Sequence, residues 1–349
     1  MTVGEATRLE IASQPDVWQA TLNELGTQQP QLTQQLAGYA ATPFIVTGCG
    51  STYYLSLATA ATLRSVGVAA WALPGSELAL YEQTHLPHNF TLLAMSRSGT
   101  TSETLWAVKR YREEHPDGHV VAVTCVPNTP LVQAADVALI APQAQEQSVA
   151  QTRSFTTMAL LGQLLAGVLA GDPARLERLH KLPHALTSVM AEAGTLPETI
   201  GADLSLQRYF FLGSGALYGF ACEAMLKTKE MTTSWAEAYH TLEFRHGPMS
   251  VVDSSSLVVG LISDSIAEAE IAVLKQMKGL GARTLALTET RGTYDWTGID
   301  QVVELRSGVS EWERGALYLP VIQWIAFYRA LAKELDPDNP HNLTAVITL

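Results

Sequence analysis

The chain has 349 residues, a formal charge of −12 and an apolar fraction of 47%. That length suits two domains of ordinary size, and that apolar content can fill a core in each. So acidic a surface repels a phosphate backbone, which excludes nucleic acid as an expected partner; a small phosphorylated ligand needs only local donors, such as those of a helix N-terminus.

Residues 1–14 hold no basic stretch followed by an apolar run, so no signal peptide is expected. The most apolar stretch, residues 158–170, is too short to span a bilayer and reads as a buried helix, with no membrane association expected. Three widely spaced cysteines, Cys49, Cys125 and Cys222, argue against a disulfide framework and against a zinc site. The expected compartment is a reducing cytoplasm. No ligand cluster for a metal or an organic cofactor stands out, and none is expected.

In chain order, the first forty residues read as helical. Val17, Leu22, Leu25, Leu32 and Leu36 carry the spacing, with a break expected near Pro30. Residues 44–47 read as a strand ending in Gly48-Cys49-Gly50, followed by a helix over 53–66. Further strands are expected over 69–73, 91–95, 119–124 and 137–140, with a helix over 102–115. Helix and strand patterns alternate with short connections, which predicts a parallel sheet with helices on both faces. The second half repeats the plan: strands over 209–212, 256–262, 283–288 and 301–305, with a helix over 218–230 after the first. Gly48 and Gly213, Ser96 and Ser263, and Thr124 and Thr288 recur at offsets of 165, 167 and 164 residues. This near-constant offset predicts duplication of one α/β unit. Polar, helix-prone residues between Gly171 and Gly201 would join the units, and a last helix over 317–334 would precede a Pro-rich tail. The expected organisation is a helical segment (1–40), two α/β domains (41–175 and 195–335) and a tail near the active site (336–349).

Ligands of open α/β sheets bind beyond the carboxyl ends of the strands. The loop Ser96-Arg97-Ser98-Gly99-Thr100-Thr101 lies there, between a strand and a helix, with four hydroxyls in six residues. With the free amides of the helix start they could surround a phosphate, or one of them could simply cap the helix. Neither the Walker nor the dinucleotide glycine pattern fits. The counterpart Ser263-Asp264-Ser265 carries a carboxylate, so one phosphate site is expected rather than two. Gly48-Cys49-Gly50-Ser51-Thr52 admits close ligand approach or a tight turn, and Cys49 without a nearby base reads as a packed residue. The densest titratable region runs from Glu223 through Lys227 and Glu230 to His240 and His246. Glu223 and Lys227 are four apart on a helix, the spacing of an ordinary ion pair. If that helix is buried, its charges need partners or a task. His246, before Gly247-Pro248, falls in a turn close to several carboxylates and is an acid/base candidate.

Together these stretches resemble the sugar isomerase (SIS) domain family. The likeness rests on Cys49-Gly-Ser-Thr52, Ser96-Arg-Ser-Gly-Thr-Thr-Ser-Glu-Thr104, residues 148–157, Glu223-Ala-Met-Leu-Lys-Thr-Lys-Glu230, Ala236-Glu-Ala-Tyr239 and Phe244-Arg-His-Gly-Pro248. It is nearest to tandem-SIS proteins such as the isomerase half of glucosamine-6-phosphate synthase and the related amino-sugar-phosphate deaminases. The resemblance implies an α/β fold of two tandem SIS domains, each a flavodoxin-like αβα sandwich with a parallel sheet. It implies a phosphate loop at Ser96, Ser98 and Thr101, with Ser51 and Thr52 nearby and Val149 on a loop lining the sugar pocket. It also implies Glu230 as the base moving a proton between C1 and C2, and Lys227 beside the sugar. His246 would open the ring and be supplied across a homodimer with shared active sites.

Two departures from the synthases shape the expectation. Residue 2 is Thr2 and no glutaminase-sized segment precedes the first unit, so ammonia from glutamine is not expected. The synthases' tail lysine corresponds here to Ala345. The resemblance therefore implies a deaminase/isomerase of an amino sugar phosphate such as glucosamine 6-phosphate. The alternatives are a fructosamine-phosphate deglycase and a sugar-phosphate-binding regulator without turnover.

Overall fold

A computed structural model describes residues 2–82 and 86–344 of the chain. In chain order it begins with helices α1 (Glu5–Ala12) and α2 (Gln14–Gln35), then β1 (Phe44–Gly48), α3 (Ser51–Ser65), β2 (Ala70–Pro74) and α4 (Gly75–Leu80). There follow β3 (Thr91–Met95), α5 (Ser102–Glu114), β4 (Val120–Thr124), α6 (Pro130–Ala134) and β5 (Val137–Ile140). Helices α7 (Arg153–Leu169), α8 (Arg175–Leu179), α9 (Leu182–Ala193) and α10 (Leu196–Ala202) lead to β6 (Arg208–Gly213) and α11 (Leu217–Thr232). The chain continues through β7 (Trp235–Tyr239), β8 (Ser256–Leu261), α12 (Ala267–Gly279), β9 (Arg283–Thr288), β10 (Gln301–Glu304) and α13 (Leu319–Ala332).

Two compact units result, and both are discontinuous in sequence. One comprises residues 16–82, 86–146 and 153–180, with Thr344. The other comprises residues 2–15, 147–152 and 181–343. They are called the phosphate-loop unit, after the loop expected to take a phosphate, and the Glu230 unit.

The phosphate-loop unit holds a sheet of strand order β2-β1-β3-β4-β5, with every pairing parallel. Every residue of β1, β3 and β4 is buried, as a sheet covered on both faces requires. Ile45, Leu92, Ala94 and Ala122 pack with Ala107, Val108 and Tyr111 of α5. The Glu230 unit holds the sheet β10-β9-β8-β6-β7, again all parallel. Counted from its own first strand, its order is the same 2-1-3-4-5 arrangement, the flavodoxin-like order. Phe210, Leu212 and Val258 meet Ile271, Leu274 and Met277 of α12. The duplication read from the offsets is present as two copies of one topology.

Three expectations need correction. Helix α2 runs unbroken through Pro30. Trp18, Leu22, Leu25, Leu32 and Leu36 are all buried, and that packing outweighs the backbone hydrogen bond a proline forfeits. The segment between Gly171 and Gly201 is no polar connector: Leu182, Leu186 and Val189 of α9 and Ile200 of α10 are core residues. Residues 235–239, read only as part of the titratable region with no strand expected, form the edge strand β7.

Candidate active site

The loop after β3 is built as a cradle. Thr124 Oγ1 and the Cys125 amide donate to the Arg97 carbonyl, and the Leu131 amide donates to that of Gly99, so the end of β4 and helix α6 pin the loop. Ser96 is buried, and its hydroxyl accepts from the Gly99 amide at 3.1 Å with Thr101 Oγ1 3.2 Å away. Ser98 Oγ accepts from the amide and the hydroxyl of Thr100. Thr101 occupies the N-cap of α5, yet its side chain makes no capping bond. Thr101 is thus no side-chain cap; Ser96 and Thr101 pair, with Ser98 bonded to Thr100, in a loop that opens a helix N-terminus, where backbone amides favour an anion.

Gly99 sits at φ +66°, and a Cβ there would lie 2.1 Å from Thr129 Oγ1. Gly99→Ala is expected to cost roughly 1–3 kcal/mol of stability from strain. It should also abolish inhibition by inorganic phosphate; thermal denaturation and a phosphate titration check both.

Arg97, in the same loop, lies 3.6 Å from Glu146, whose side chain is fully buried and also accepts from Ser154 Oγ. Sequence reasoning missed this pair, because nothing local links residues so far apart. Ser51 and Thr52 open α3 and are both buried. The Thr52 hydroxyl accepts from the Cys49 amide and donates to the Cys49 carbonyl, both at 2.9 Å, so it closes the turn. Cys49 is the packed residue expected: its thiol lies against Gly75, where a Cβ would come within 2.9 Å, and burial pushes its pKa up.

In the Glu230 unit the charges of α11 meet as a chain. Lys227 Nζ donates to Glu230 and stands 3.4 Å from Glu223 Oε1. Lys227 is 1% exposed and Glu223 fully buried, whereas the Glu230 side chain is 18% exposed. Only Glu230 among the three can reach a ligand, and the buried ammonium holds it in place. His246 ends a short 3-10 turn at Glu243–Arg245 and is exposed. Among the described residues its ring has no hydrogen-bonding, ionic or ring partner. His240, the other candidate imidazole, stacks on Tyr218 with centroids 3.8 Å apart, and desolvation lowers its pKa. Val149 is half-buried in the 147–152 segment, its amide donating to the Asp338 carbonyl. Ala345 lies outside the described residues.

The counterpart of the phosphate loop follows β8. Asp264 was expected to repel an anion there, but its carboxylate is bound by the buried Arg314 guanidinium at 2.7 and 2.5 Å. The seat is occupied instead by Glu311, which accepts from the Asp264 and Ser265 amides at 2.6 and 3.0 Å and from the Ser265 hydroxyl. Beneath it, buried Glu270 accepts from the Ser263 amide and from the hydroxyls of Ser214, Ser263 and Thr241. Burial keeps its pKa above the ordinary carboxylate value despite those donors. A signal for Glu270 existed: the 167-residue offset that pairs Ser96 with Ser263 pairs Glu103 with Glu270.

Among the described residues no cluster of His, Cys, Asp and Glu could hold a metal ion, and no helix is long and apolar enough to cross a membrane.

Known proteins resemble the chain in sequence and in fold. The SIS domain model matches residues 40–167 and 205–294. The glutamine–fructose-6-phosphate aminotransferase (isomerizing) of Pyrobaculum aerophilum is 31% identical over 97% of this chain, which spans 57% of that relative's length. Tagatose-6-phosphate ketose/aldose isomerase from Escherichia coli superposes with a TM-score of 0.88 at 24% identity, over 97% of this chain and 96% of that one. Glucosamine-6-phosphate deaminase from Thermotoga maritima gives 0.73 at 23% identity, over 94% and 99%. At these identities the structural likeness is one of fold.

Proposed function

We propose, for a chain that belongs to the SIS domain family, an aldose–ketose isomerase activity on a phosphorylated sugar, and more finely the deamination of an amino sugar phosphate such as glucosamine 6-phosphate. The observation that carries the reading is Glu230, a partly exposed carboxylate fixed by a buried lysine. The proton shift between C1 and C2 needs such a base. The hydroxyl cradle at Ser96, Ser98 and Thr101 supports a phosphate anchor, and the names of the relatives support the substrate class.

In the proposed reaction His246 moves the anomeric hydroxyl proton to the ring oxygen, and the ring opens to the aldehyde. Glu230 takes the C2 proton as O1 takes one up, giving an enolamine; it returns the proton at C1 as the amine nitrogen gives one up, leaving an imine at C2. Water adds at C2 and ammonia departs, taking a proton, to give the ketose phosphate and ammonium. The exposed, unpartnered ring of His246 supports its service in the site of a second copy, in a homodimer with shared active sites.

The test is a panel of amino-sugar, fructosamine and simple sugar phosphates, scored for ammonium and for ketose phosphate. Ammonium with ketose phosphate from glucosamine 6-phosphate is the expected result. Amine release from fructosamine phosphates alone would replace deamination by deglycation. No turnover of any member would leave a binding protein. Within the panel, Ser96→Ala combined with Ser98→Ala is expected to weaken phosphorylated ligands by roughly 10- to 100-fold, as the loss of two hydrogen bonds to a charged group implies. Unphosphorylated sugars should be unaffected; calorimetry against inorganic phosphate reads the difference.

A further inference from the structure

The segment 147–152 leaves the body of the phosphate-loop unit for six residues and belongs to the Glu230 unit. It is held there at three points. At its start, the buried carboxylate of Glu10 on α1 accepts from the Gln147 amide at 2.5 Å, the Ser148 amide at 3.3 Å and the Ser148 hydroxyl. In its middle, the Val149 amide donates to the Asp338 carbonyl, while the Asp338 carboxylate caps α1 through the Ala6 and Thr7 amides and the Thr7 hydroxyl. At its end, the Thr152 carbonyl accepts from Gln323 Nε2, and Gln323 Oε1 accepts from Gln14 Nε2. Between these points Ala150 packs against Met231, the residue after Glu230, and against Ala326 and Ala330 of α13.

A carboxylate that takes three donors from two consecutive residues fixes both peptide planes, and burial leaves the two Ser148 donors no water to turn to. We infer that Glu10 is a positioning residue for sugar recognition: it holds segment 147–152 so that Val149 faces the sugar beside Glu230. This rests on the reading that Val149 lines the sugar pocket. Glu10 touches no substrate. Its effect runs through the segment, and so falls on affinity for the sugar and not on the phosphate anchor of the other unit.

The test uses the full chain, with fructose 6-phosphate and inorganic phosphate as separate probes and amide hydrogen exchange as the structural readout. Glu10→Ala is expected to weaken fructose 6-phosphate about tenfold and to leave inorganic phosphate within about twofold. Exchange at residues 147–150 should quicken while the strands of both sheets keep their protection. Glu10→Gln is the conservative rescue. Its carbonyl can keep the two amides while Ser148 turns its proton to the Ala150 carbonyl, 3.1 Å away. It should stay within about threefold of the wild type. If Glu10→Ala does not fold, Ser148→Ala removes one donor and should show the same split at about threefold. An equal loss for both probes, or faster exchange everywhere, would reduce Glu10 to a structural residue and overturn the inference. So would faster exchange at 147–150 with unchanged sugar affinity. A wild type that binds inorganic phosphate but no sugar phosphate would instead overturn the reading of the site, and this inference with it.

Discussion

Lys227→Met is expected to destabilise the Glu230 unit by about 3–5 kcal/mol, the cost of breaking a buried ion pair from one side. The size follows from what stays behind. Glu223 is fully buried, and Lys227 is the cation 3.4 Å from it. Methionine fills nearly the same space, so little of the loss comes from a cavity. A carboxylate stranded in that position takes up a proton, which the unfolded chain gives up above about pH 4.3. The unfolded state then binds fewer protons than the native state, so the variant's stability falls as pH rises and recovers as pH is lowered toward 4. Chemical denaturation at several pH values checks both size and sign. Adding Glu223→Gln to Lys227→Met should return a large part of the loss, because no charge is then left buried. A single variant as stable as the wild type at neutral pH would mean that Lys227 is not the counter-charge of Glu223.

Glu230→Gln is expected to lower kcat by about a thousandfold with KM within a few-fold, the range for loss of a general base. The amide keeps the shape and a hydrogen-bonding oxygen for Lys227 but cannot take a carbon-bound proton. Because the side chain is 18% exposed, stability should change little. Exchange of solvent deuterium into C1 of the ketose phosphate is the direct measurement, since it reports the proton shift whether or not ammonia leaves. Full exchange in the variant would place the base elsewhere, and inhibition by inorganic phosphate, expected unchanged, separates chemistry from binding.

Much of this was legible in the sequence, because buried parallel strands announce themselves. Val120 to Thr124 and Arg283 to Thr288 are runs of β-branched or apolar residues bounded by polar ones. The edge strand β7 does not. Trp235-Ala-Glu-Ala-Tyr239 exposes its tryptophan and buries only Ala236 fully, so neither alternation nor a continuous apolar run marks it. The Pro30 break was misread because a local rule was applied where buried leucines on both sides decide. The site divided along the same line. Ser96, Ser98, Gly99 and Thr101 form one local motif, and the Glu223–Lys227–Glu230 spacing is helical arithmetic. Glu10 with Ser148, Arg97 with Glu146 and Glu311 with Ser265 join distant residues, and only the folded chain brings them together.

The cap on α1 has a consequence for synthesis. Thr7 and the Asp338 carboxylate that secures it are 331 residues apart. At translation rates of about 5–20 residues per second, the helix made first waits roughly twenty seconds to a minute for its cap. The phosphate-loop sheet is complete by Ile140 and can form meanwhile, but the Glu230 unit cannot be closed until the tail emerges. Throughout that interval α1, at eight residues too short to be stable alone, is expected to stay unformed, with the apolar side chain of Ile11 unburied.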